Sequence, residues 1–246
     1  MTATTSYSVG TVVAAEAAVE IRPKYVTNPA KPGVLYVHGA GSDATYCIVP
    51  TASQSTLTNK ITREGYLGFS GDNGGAATWG NPTSITRLTT AKTHLQTTMG
   101  ASSSGVVLVS GSMGGLNSLA WAAANPTLVS CIVSVIPVIN VTDIVTNNRG
   151  GYAASINAAY SGGWSEATYG ATHNPSTLAA TGVFDNIPML LFYGLTDTLC
   201  LPEHTEAFAA TVGSNVELVP INDGHTFTTY DLVNHDQAVA FIKAHT

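Results

Sequence analysis

Residues 106–117, Val-Val-Leu-Val-Ser-Gly-Ser-Met-Gly-Gly-Leu-Asn, constrain this chain more than any other stretch. A β-branched run passes through a turn of small residues into a segment of helical spacing, so a buried strand and a helix must meet at one tight corner. A serine at that corner is held in a strained backbone conformation with its hydroxyl above the sheet, and its neighbours must be small because strand and helix nearly touch. Gly111, Gly114 and Gly115 meet that need, which makes Ser112 the candidate nucleophile. Ser110 stands where the usual Gly-x-Ser-x-Gly pattern has its first glycine, a small departure. A phosphate-binding loop is also rich in Gly and Ser, but this stretch has no lysine to reach a phosphate. The plain alternative is a turn that only reverses the chain.

Around this corner the pattern alternates. Short apolar runs at 34–37, 66–69, 106–109, 132–136, 189–193 and 216–219 have the length and composition of buried parallel strands. Segments of helical spacing at 51–64, 84–99, 113–124, 202–210 and 235–244 lie between them. The alternation predicts an α/β fold built on a mostly parallel central sheet with helices on both faces. Residues 8–20 alternate apolar with small or charged residues around Ala17 and Ala18, as an antiparallel edge strand or hairpin does. At 246 residues with no repeat or low-complexity linker, a single domain over 1–246 is expected. One stretch breaks the rhythm: 139–186 is far longer than the roughly 2–6 residues of an ordinary strand–helix connection. It carries Tyr152, Tyr160, Trp164 and Tyr169 among Gly, Ser and Asn. It reads either as a cap over an active site or as a packed excursion whose aromatics face the core.

Composition removes several function classes. A net charge of −6 leaves no basic patch for a phosphate backbone, so nucleic acid is not an expected partner. The first basic residue is Arg22, and Glu16 and Glu20 interrupt the apolar stretch before it, so no signal peptide is visible. No apolar run approaches the ~20 residues of a membrane span, and no integral membrane association is expected. Charged residues make up 10% of the chain, against roughly 25% in ordinary soluble proteins, so Thr, Ser and Asn must carry the polar surface. That bias is more familiar in secreted or particle-borne proteins than in crowded cytosol, and a cytoplasmic or a particle- or envelope-associated protein both stay open. Cys47, Cys131 and Cys200 have no Cys-x-x-Cys spacing, and Cys131 reads as a small core residue. His94, His173, His204, His235 and His245 lack the spacing of a metalloprotease helix, so neither metal nor cofactor is expected.

His38-Gly39-Ala40-Gly41 closes the first core strand, the Ser112 corner follows, Asp197 comes after a later strand and His225 lies near the C-terminus. In this order of motifs, along nearly its whole length, the chain resembles the α/β-hydrolase family, in particular its serine esterases and lipases. The resemblance implies an acid after the strand 189–193, where Gly194-Leu195-Thr196-Asp197 offers Asp197, and a base after the last strand, where Asp223-Gly224-His225 offers His225. It also implies backbone N–H donors to an oxyanion at Ala40 and Met113. Asp143 occupies a place from which some members supply the acid, and it is the alternative to Asp197. Asp72 matches a loop aspartate that shapes the backbone, and His38 reads as structural. Asp223 reads as a loop-ordering residue, and Asp231 and Asp236 as solvent or capping positions.

A serine hydroxyl is a poor nucleophile until an imidazole takes its proton, and the imidazole must be held in one tautomer. Ser112, His225 and Asp197 would then cleave a carboxylic ester, drawn from small molecules or lipids, with Gly41, Tyr152 and Trp164 touching the substrate. Three alternatives stand beside this: a thioesterase; a serine peptidase of the same fold, for which 246 residues leave no room for a large gating domain; and a non-catalytic binding or virion protein on a hydrolase scaffold. The sequence does not speak to oligomeric state.

Overall fold

The computed structural model describes residues 5–24, 30–50 and 52–246. Among the described residues, eight strands form one sheet in the order β1-β2-β4-β3-β5-β6-β7-β8. They are β1 (Thr5–Val13), β2 (Glu16–Pro23), β3 (Pro32–Val37), β4 (Gly68–Gly71), β5 (Ser102–Gly111), β6 (Val129–Val135), β7 (Met189–Gly194) and β8 (Val216–Ile221). β1 and β2 run antiparallel at one edge, and the pairs from β4 through β8 are parallel. This is the mostly parallel α/β sheet that the alternation predicts.

The central strands are buried on both faces, which is why they read as continuous apolar runs. In β3, Leu35 and Val37 join one core with Leu88 and Leu95 of α2 (Pro82–Thr97) and with Trp121 of α3 (Met113–Ala124). Val34 and Tyr36 join the opposite core with Leu57 and Ile61 of α1 (Ser53–Arg63) and Ile242 of α10 (His235–Ala244). The helix expected over 51–64 is α1, and Thr51 lies outside the described residues. The strand expected at 66–69 runs Gly68–Gly71 instead. Tyr66 and Leu67 are buried ahead of it, and the Leu67 carbonyl accepts from the Val34 N–H at 2.8 Å. The edge hairpin turns on Ala14 and Ala15, both at positive φ (53° and 65°), without the Asn or Gly that such a turn ordinarily uses.

Residues 139–186 fold into short helices, α4 (Val141–Thr146), α5 (Ala153–Ala159), α6 (Ala171–His173) and α7 (Pro175–Ala179), with single turns between them. Their aromatics pack mainly on one another. Tyr160 lies 4.9 Å from Trp164 and 4.7 Å from Tyr169, and its hydroxyl donates to the Trp79 carbonyl at 2.6 Å. Glu166 ties the segment together by accepting from Thr142, Thr177 and Asn174. Burial would push its carboxyl up, but these three hydrogen bonds together hold it below the ordinary value. A depressed folded pKa means that this contribution to stability is present above the unfolded value and fades as pH falls through the folded one. α8 (Pro202–Val212) and α9 (Phe227–Asp231) complete the chain. Among the described residues, no helix is long and apolar enough to cross a membrane.

α3 lies unusually close to the strands beneath it. A Cβ on Gly114 would stand 2.1 Å from the Val37 carbonyl oxygen, and one on Gly115 would stand 2.6 Å from Cβ of Pro137. Gly114→Ala therefore forces helix and sheet apart and is expected to cost about 2–3 kcal/mol or more in urea unfolding. Gly224→Ala, whose Cβ meets nothing nearer than 3.4 Å, should be nearly neutral in stability. Glu166→Ala leaves three partners short of an acceptor and is expected to cost about 1–3 kcal/mol, with faster hydrogen exchange confined to residues 139–186.

Candidate active site

β3, β5, β6, β7 and β8 are consecutive neighbours that run in one direction, so the loops at their C-terminal ends emerge side by side. β3 leads to Gly39, Ala40 and Gly41, and β5 to Ser112. β6 leads to Ile136, β7 to Asp197 and β8 to His225. The chain adds β4 on one side of β3 and returns to place β5 on the other, and ligand crevices open at such reversals.

Ser112 adopts φ 53° and ψ −123°, a conformation that residues with a side chain disfavour. Neighbouring backbone fixes it there. Its N–H donates to the Val135 carbonyl at 3.0 Å, and its carbonyl accepts from Gly115 at 2.9 Å and Val138 at 3.1 Å. Ser112 Oγ lies 2.8 Å from His225 Nε2. His225 Nδ1 lies 2.8 Å from Asp197 Oδ2. The other Asp197 oxygen accepts from the N–H groups of Leu199 and Cys200, each at 2.8 Å, and its side chain is wholly shielded from water. A ring protonated on Nδ1 donates to Asp197 and leaves Nε2 to accept from the Ser112 hydroxyl.

The alternative acid is elsewhere. Asp143 pairs with Arg149, and its Oδ2 lies 3.3 Å from His204 Nε2. Burial raises its pKa, but Arg149 outweighs burial and holds the carboxyl below its ordinary range. Asp223 orders the loop that carries His225: it accepts from Gly224 N–H and from the hydroxyls of Thr226 and Thr228. The Gly224 bond, followed by those from Thr226 and Thr228, draws its pKa down to about 2. His38 is fully buried, with its ring nitrogens 2.9 and 3.0 Å from the carbonyls of Gly39 and Asp72. It thereby braces the Gly39 loop against the Asp72 loop.

Gly39 passes over the Ser112 corner, since a Cβ on it would stand 3.5 Å from that of Ser112. Ala40 lines the cleft next to it, and Met113 opens α3, where the first N–H groups have no acceptor within the helix. The cleft encloses about 400 Å³. Gly41 and Tyr152 line it, and Trp164 does not. The Trp164 ring sits in the aromatic cluster of residues 139–186, with Nε1 donating to Thr142 Oγ1 at 2.9 Å. That indole is spent on holding the segment together.

Sequence reasoning missed Tyr46, Val49, Gln54, Ile136, Phe227 and Tyr230, all of which line the cleft. Phe227 was legible as the second residue past His225. Tyr46 and Val49 lie in an aperiodic stretch before α1 and carried no signal.

Among the described residues, Asp197, Cys200 and His225 form the one trio of metal-capable side chains with ligand atoms within 4.8 Å of one another. Burial, and then the nearby Asp197 charge, push the Cys200 thiol well up, so it stays protonated and is a poor ligand. Asp197 is already occupied by three hydrogen bonds. Asp197→Ala strips the acceptor from two buried N–H groups and is expected to cost about 2–4 kcal/mol in urea unfolding. Asp197→Asn keeps an acceptor there and should cost about half as much.

Comparison with known proteins places this geometry in context. An S-formylglutathione hydrolase of Staphylococcus aureus superposes with a TM-score of 0.71 at 14% identity, covering 98% of both chains. A ferulic acid esterase gives a TM-score of 0.74 at 10% identity, covering 99% of this chain and 100% of its own. A puromycin-hydrolysing peptidase of Mycobacterium tuberculosis gives 0.74 at 16% identity, covering 99% of this chain but only 39% of the peptidase. At such identities these likenesses establish the α/β-hydrolase fold. No curated protein sequence matches the chain. The model of the prolyl oligopeptidase family (peptidase S9) matches residues 75–246, a span that holds the Ser112 corner, Asp197 and His225. The chain therefore belongs to the prolyl oligopeptidase family and is a serine hydrolase of the α/β-hydrolase fold.

Proposed function

We propose that the chain hydrolyses carboxylic esters through an acyl-enzyme, with Ser112 as nucleophile, His225 as general base and acid, and Asp197 as the group that orients His225. The observation that carries this reading is the unbroken line from Ser112 Oγ through His225 to Asp197, with 2.8 Å at each step, opening on a cleft. His225 takes the hydroxyl proton as Oγ attacks the carbonyl carbon, and the N–H groups of Ala40 and Met113 hold the oxyanion. Collapse of the tetrahedral intermediate breaks the bond to the alcohol oxygen, which leaves with the proton from His225. Water, deprotonated by His225, then attacks the acyl-serine, and the acid departs as Ser112 regains its proton.

Among the described residues lining the cleft there is no Asp, Glu, Lys or Arg. That lining suits a neutral substrate and offers no counter-charge to a peptide terminus. Esterases among the structural neighbours agree with a small ester. The family match favours a second reading, hydrolysis of a peptide bond by the same three residues.

Turnover of p-nitrophenyl butyrate beside alanyl-prolyl-p-nitroanilide, on wild type and Ser112→Ala, separates the two. The ester should be cleaved with the higher kcat/KM, and Ser112→Ala should lower kcat by about 10⁴-fold or more. Asp143→Asn should stay within about threefold of wild type, because a residue outside the reacting unit contributes little to transition-state stabilisation. Faster cleavage of the anilide would replace the ester reading with the peptidase one. A folded wild type that turns over neither substrate would favour a binding scaffold.

A further inference from the structure

We infer that Phe227 docks the leaving group of the substrate, and that this group is a bulky, uncharged, apolar alcohol such as an aryl or fused-ring alcohol. The inference rests on the ester reading and assigns that reaction its substrate class.

Phe227 is 88% exposed, the highest value among the large apolar side chains described, and it lines the cleft. The backbone that presents it is firmly held. Thr226 and Thr229 form a capping box at the start of α9, Asp223 accepts from the hydroxyls of Thr226 and Thr228, and Thr229 Oγ1 donates to the Gly224 carbonyl at 2.7 Å. A loop so tightly bonded keeps an aromatic ring in water, where it forgoes the stabilisation that burial would bring. Val49, 41% exposed, is the other exposed large apolar side chain described in the cleft lining.

Position decides which half of an ester the ring meets. His225 hands its proton to the departing alcohol oxygen, so the residues that follow His225 in its loop flank the alcohol and not the acyl group. Phe227 is the second of them. With no charged side chain described in the lining, an ionic alcohol would find no partner there, whereas an aromatic one gains contact with the Phe227 ring.

The test uses two butyrate esters that differ only in the alcohol, 1-naphthyl and ethyl, with wild type, Phe227→Ala and Phe227→Trp. Phe227→Ala should lower kcat/KM for the naphthyl ester about tenfold and leave the ethyl ester within about twofold. Phe227→Trp should restore the naphthyl rate. The deacylation rate, measured in rapid-quench experiments, should be the same in all three proteins, because the alcohol has already left the common butyryl-enzyme. An equal loss on both esters, a slowed deacylation, or no loss on the naphthyl ester would overturn the inference and leave the ester reading standing. A wild type that cleaves neither ester would remove both.

Discussion

The close approach of α3 to the sheet at the Ser112 corner is the constraint on which the rest depends. With no room for a Cβ between Gly114 and the Val37 carbonyl, α3 starts directly above the ends of β3 and β5. That start holds Ser112 at positive φ, with its hydroxyl 2.8 Å from His225 Nε2 and its Cβ beneath Gly39. The same crowding leaves room for other parts of the site. The Tyr230 hydroxyl occupies the space that a Cβ on Gly111 would fill, which seats α9 and the adjoining His225 loop against the corner. Local strain at Ser112 is offset by backbone bonds to Val135, Gly115 and Val138.

Electrostatics of the site follow from burial. Asp197 is a carboxylate out of contact with water, stable there because each lone-pair direction in use meets an N–H: two from the backbone and one from His225. Those two backbone bonds fix the carboxylate plane, and the plane fixes the imidazole. Asp143, by contrast, spends its charge on Arg149 and His204 and so braces the segment after β6. Two carboxylates that both follow core strands thus have different work, set by which cation or N–H reaches them.

Much of this was legible in the sequence, for reasons that differ by element. The doubly buried strands announced themselves because both faces need apolar residues, and Ser112, Asp197 and His225, which the structure brings together, because each lies just past a strand end. The Ala14-Ala15 turn hid its geometry, since alanine gives no hint of positive φ. Tyr152, Tyr160, Trp164 and Tyr169 looked alike in sequence, and only packing separates Tyr152, which lines the cleft, from Trp164, held in the cluster with Tyr160 and Tyr169. Tyr46 and Gln54 lie close in sequence, Tyr230 reaches the same cleft from the far end of the chain, and no local pattern marks them.

The most direct test of the account is the site of covalent capture by a fluorophosphonate. The folded protein should be labelled stoichiometrically, peptide mass spectrometry should locate the phosphonyl group on Ser112, and denaturation before exposure should abolish it. Label on another serine, or a folded protein that takes up none, would contradict the assignment of Ser112 as an activated nucleophile.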